Sequence, residues 1–151
     1  MNKTIVLVIG SILSMQLFAN DSPAEDDIEY RTSVMTAIRG HNNAIKLIVT
    51  EKVSHTGKLV GHIDAIKQLF DELDSIFPAG SGSDSGKTNA KNDIWEKPEK
   101  FNRTISEAKQ ALDTFRGIAT QGDLSKTAVA FKEFGKTSCG SCHKSFKKKD
   151  D

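Results

Sequence analysis

Apolar residues recur along this chain at alternating spacings of three and four, the mark of one buried face on a helix, and they do so in four separate stretches. The first passes through positions 28, 31, 35, 38, 42, 45 and 49, which read Ile, Arg, Met, Ile, Asn, Ile and Val. Two of its members are polar. Pro23 suits a first helical turn because its missing N–H would be unpaired there, so a helix is predicted from about residue 23 to 50. The second stripe is Leu59, Ile63, Ile66, Phe70, Leu73 and Phe77, with Pro78 as its expected stop. The third, Phe101, Ile105, Ala108, Leu112, Phe115 and Ala119, follows Pro98 and precedes Gly122, a residue suited to a C-terminal cap. The fourth starts after Asp123, a candidate N-cap, and runs through Leu124, Ala128, Phe131, Gly135, Cys139, Cys142 and Phe146.

Between the second and third stripes lies PAGSGSDSGKTNAKND, which has no apolar period and is long for a connection between helices. No stretch alternates with period two. The pattern therefore predicts an all-α fold, an antiparallel up-down-up-down four-helix bundle. In that topology the start of the first helix, the end of the second, the start of the third and the end of the fourth share one end. Met35, the glycine-rich loop with Trp95, and the group from Cys139 to His143 are thus expected to converge there.

The chain has only two cysteines, and both fall in CGSCH near its end. C-x-x-C-H is the pattern of covalent haem attachment. Two thiols three residues apart on a helix can reach both vinyl groups of one porphyrin, and the adjoining His143 can present its imidazole to the iron. The alternatives are a C-x-x-C redox pair, which ordinarily sits at a strand-to-helix junction, and half of a zinc site. The first lacks its β pattern and the second lacks a clear ligand pair elsewhere. Of the other histidines, His41 is expected at the surface or its boundary, His55 at the junction of helices one and two, and His62 beside the second stripe without a special role.

Residues 1–19 carry one lysine, an apolar core from Ile5 to Leu13 and a small residue, Ala19, before an acidic stretch. That is the layout of a secretory signal peptide, too short in its apolar core to be a comfortable membrane anchor. Cleavage after Ala19 would leave residues 20–151 as one exported domain with 20 basic and 20 acidic residues. Such a balance argues against a nucleic-acid partner held by bulk charge.

YRTSVM in the first helix, IWEKPEKF at the start of the third, QGDL before the fourth and FKEFGKTSCGSCHKSF at the end together resemble the class II c-type cytochromes, the cytochrome c′ family. The resemblance implies a periplasmic four-helix bundle with one haem c, thioether links from Cys139 and Cys142, and His143 as proximal ligand. It places Arg31 near the haem propionates; the plainer alternative is a rim arginine paired with a nearby carboxylate. It places Met35 at the distal position, where low-spin members use a methionine as sixth ligand. Lys147 stands where high-spin members commonly carry an arginine. The expected function is a low-spin one-electron carrier with His143 and Met35 as axial ligands, not an enzyme, serving unidentified redox partner proteins as monomer or homodimer. The alternative is a five-coordinate high-spin member that binds nitric oxide or carbon monoxide beneath an unligated Met35.

Overall fold

A computed structural model describes residues 23–149, which are predominantly helical. Helix α1 spans Pro23–Val49. A 3-10 turn, Thr56–Lys58, leads into α2, Leu59–Asp71. After the long loop come a short α3, Asp93–Glu96, and then α4, Pro98–Ala119. The chain ends in α5, Leu124–Phe134, which passes through a π-helical stretch, Gly135–Gly140, into α6, Ser141–Phe146. The expected signal peptide lies outside the described residues. Among those residues no helix is long and apolar enough to cross a membrane.

Cross-helix pairs establish the directions. Tyr30 donates to Glu72 at 2.6 Å, and His41 meets His62 at 3.0 Å, so α1 and α2 run antiparallel. Asp64 accepts from Arg116, and Lys67 meets Asp113 at 2.6 Å, which sets α2 against α4. Phe115 packs on Phe131 and Phe134, and Phe101 on Phe146, which sets α4 against the last rod. The exposed ion pairs among these contribute little to stability; their use is as register marks. The all-α bundle is therefore as expected, but it is not a strict four-helix bundle. A short helix is added before α4, and the fourth rod changes from α to π geometry just ahead of the second cysteine.

The third stripe buries all six of its members, from Phe101 to Ala119. Its flanking signals work as expected: Gly122 adopts φ +78°, and Asp123 caps α5 by accepting from the Lys126 amide at 2.9 Å. The first stripe slips. Val34 and Ile48 are buried with Ile28, Arg31, Ile38, Ile45 and Val49, whereas Met35 and Asn42 are half-buried. A strict three-four alternation drifts by about 20° per seven residues around a straight helix, so over 27 residues the face moves by a position. The second helix ends at Asp71, well before Pro78, and a series of tight turns then brings Leu73 and Ile76 inward.

Phe115 is 1 % exposed and packs against the rings of both Phe131 and Phe134. Phe115→Ala should therefore cost about 3–5 kcal/mol, read as a lowered midpoint in urea unfolding followed by circular dichroism. A loss below about 1 kcal/mol would contradict this packing.

Candidate haem site

Cys139 lies in the π-helical stretch and Cys142 in α6. Both are free, half-buried, and packed against the hydrophobic core. Burial pushes both thiols up, with Cys142 reaching about 11. Both are thus protonated at neutral pH, the opposite of the lowered values that make a reactive dithiol. That removes the main support from the redox-pair alternative. For the zinc alternative, no group of three or more His, Cys, Asp or Glu side chains gathers among the described residues. His143 follows Cys142 on α6 with its side chain exposed, and its carbonyl accepts from the Lys147 amide at 3.0 Å.

The long loop binds this segment to α1. At its far end the Lys91 amide donates to the Phe146 carbonyl at 2.9 Å, and the Lys148 amide donates to the Asn89 carbonyl at 2.7 Å. Ala90 and Lys147 thereby form an isolated antiparallel bridge. At its near end the loop takes up Arg31, which is only 3 % exposed. Its guanidinium donates to Ser81 Oγ at 2.7 Å, to the Ser81 carbonyl at 2.6 Å and to Thr88 Oγ1 at 3.0 Å. It also lies over the rings of Phe77 and Trp95, 5.2 and 5.8 Å from their centroids. Burial lowers its pKa, with the charge of Asp27 acting in the opposite direction.

Arg31 is therefore no rim residue bonded to a carboxylate; the acceptors of its hydrogen bonds are neutral. Trp95 anchors the loop, donating its indole N–H to the carbonyls of Phe77 and Pro78 at 3.1 and 3.0 Å. The expected convergence of loop, Trp95 and the end of the last rod is present. Met35, one turn beyond Arg31, packs half-buried against the core. The partners Ser81, Thr88 and Phe77 were missed by sequence reasoning. The loop's hydroxyl-rich composition was the only signal, and it does not say which hydroxyl turns inward.

A helical bundle whose last rod carries C-x-x-C-H, with both thiols half-buried and the histidine exposed, is the arrangement of a c-type haem protein. The chain belongs to the cytochrome C′ family, whose model matches residues 26–147. It is 28 % identical to a cytochrome c′ of Pararhodospirillum photometricum over 80 % of this chain and 94 % of that one. It is 26 % identical to a cytochrome c′ of Rhodospirillum rubrum over 97 % and 99 % of the two chains. Among solved structures, a nitric oxide complex of a variant cytochrome c prime from Alcaligenes xylosoxidans aligns with a TM-score of 0.74. The two chains are 23 % identical over 84 % of this one and 97 % of that one. A carbon monoxide-bound variant of the same protein aligns with a TM-score of 0.75 at 22 % identity, over 86 % and 100 % of the chains. Members of the family carry electrons and bind gases; they are not enzymes in the ordinary sense.

These relatives correct one expectation. The low-spin reading, with Met35 as sixth ligand and electron carriage as the dedicated function, does not fit a family whose familiar form is five-coordinate, high-spin and ligated by histidine alone. A methionine on a half-buried helical face is ordinarily adaptable core filling, and Met35 packs in that way.

Ser81→Ala removes one acceptor from a buried cation and should cost about 1–3 kcal/mol, measured as a fall in the thermal midpoint. An unchanged midpoint would mean that Arg31 does not depend on the loop.

Proposed function

We propose that this chain is a high-spin cytochrome c′, exported to the periplasm after cleavage behind Ala19, that binds nitric oxide or carbon monoxide at a five-coordinate haem. The observation that carries the reading is a C-x-x-C-H segment with two protonated, half-buried thiols, in a chain that matches the family over residues 26–147. The gas complexes of the structurally similar proteins support the choice of ligand.

The residues present fit a haem c. Cys139 and Cys142 offer two thiols whose S–H bonds can add across vinyl groups to give thioethers. Both pack against the hydrophobic core, so a macrocycle linked to them would lie against apolar side chains. When bound, haem c supplies an iron that exchanges one electron and can leave one coordination position for a diatomic ligand. His143 would serve as the proximal ligand through a neutral imidazole nitrogen. Met35 would cover the opposite face without a bond, excluding water and charged ligands while yielding to a small neutral gas. Arg31, a buried cation whose hydrogen bonds go to neutral acceptors, would suit an anionic carboxylate of the cofactor nearby. Lys147 places a flexible point charge where an arginine would offer a planar fork. Its backbone pairing with the loop fixes where that charge begins.

The purified holoprotein should show a broad high-spin ferric spectrum, and its ferrous form should shift at once on addition of carbon monoxide. Met35→Ala should leave the ferric spectrum high-spin and speed gas uptake, measured by flash photolysis and rebinding. Sharp low-spin bands that carbon monoxide barely alters would sink the proposal. Haem that stays with the denatured chain in acidic acetone supports the thioethers; haem that extracts would refute them.

A further inference from the structure

Far from the haem segment, on the face where α1 meets α2, two histidines that the sequence left without a role are brought together. His41 Nδ1 and His62 Nδ1 stand 3.0 Å apart, with ring centroids 5.3 Å apart and ring planes inclined at 53°. His41 lies ten residues beyond Arg31, about 15 Å further along α1. The antiparallel register that aligns Tyr30 with Glu72 also aligns this pair. Both side chains are half-buried, so they are held by the helices yet open to solutes.

We propose that His41 and His62 form a two-imidazole chelate for a late first-row divalent cation, Cu(II) or Ni(II). In the metal-free pair one Nδ1 donates a proton to the other, and a cation would replace that shared proton. With metal–nitrogen bonds of about 2.0–2.1 Å, donors 3.0 Å apart subtend about 95° at the metal. That is the angle between neighbouring ligands in square-planar or tetragonal coordination, the geometry of Cu(II) and Ni(II) with nitrogen donors. A tetrahedral zinc ion would need the nitrogens about 3.3–3.4 Å apart. Once the shared proton is displaced, a swing of both half-buried rings about their Cβ–Cγ bonds would aim the two lone pairs at one point beside the N···N line. No third His, Cys, Asp or Glu completes a cluster among the described residues, so water fills the remaining positions. Lys58 and His55 line the same hollow as His62; the exposed, screened charge of Lys58 weakens the site without closing it, and His55 does not come close enough to make a group of three ligands. The site is independent of haem ligation.

The test is calorimetric titration of tag-free holoprotein with glycine-buffered Cu(II), for the wild type and for His41→Gln, His62→Gln, the double variant and His55→Gln. Wild type should take up one ion per chain. Each single variant should lose about ten-fold or more in affinity, falling to the level of the double variant, while His55→Gln should bind as wild type does. Haem spectra and circular dichroism that stay unchanged would show that the fold and haem site are intact. In wild-type protein alone, which guards against a variant that fails to fold, Ni(II) should broaden the imidazole proton resonances of His41 and His62 before those of His55. No uptake by wild type, single variants that bind as tightly as wild type, or broadening that begins at His55 would each overturn the proposal.

Discussion

A guanidinium shut away from water dominates the haem end of this protein. Removing a cation from solvent costs several kcal/mol unless every donor finds a partner, and Arg31 is almost completely enclosed. Its hydrogen-bond partners come from one loop, the hydroxyl and carbonyl of Ser81 and the hydroxyl of Thr88, and the faces of Phe77 and of Trp95 on α3 lie against it. A glycine- and serine-rich segment of this length would otherwise pay little attention to the helices beside it. Here it is folded back onto the start of α1, so closely that a Cβ at Gly86 would stand 3.0 Å from Ile28 Cδ1.

The same loop then carries the constraint across the molecule. A few residues beyond Thr88 its backbone pairs with Phe146 and Lys148, the end of the rod that bears the C-x-x-C-H segment. The edge-to-face series Phe77, Phe101 and Phe146 runs beneath that junction, with neighbouring centroids 5.1 Å apart. The place where a haem would sit is thus framed by three elements remote in sequence and held by one buried charge. The thiols in that frame are kept protonated by their burial, which disfavours disulfide exchange.

Much of this was legible beforehand. The stripe of α4 and the cap at Asp123 needed only local rules, since periodicity and capping act within a few residues. The convergence of loop and last rod followed from counting antiparallel rods. Legibility failed where the outcome depended on a drift or a partner. Met35 was placed on the inward face, but the stripe slips along α1 and Val34 takes the buried position. Its assignment as an iron ligand fell with the family's histidine-only form. The π-helical stretch before Cys142 leaves no mark in composition.

The sequence alone determined the helical class, the antiparallel order of the main rods and the spacing of the C-x-x-C-H segment, because each rests on spacing along one chain direction. Only the tertiary structure decided what encloses Arg31, how far Met35 is buried, and that His41 faces His62. These outcomes depend on the relative rotation and register of separate helices and on the course of an irregular loop. Those degrees of freedom are set by the packing of the whole core and by the need to satisfy buried polar groups, and no single stretch encodes them.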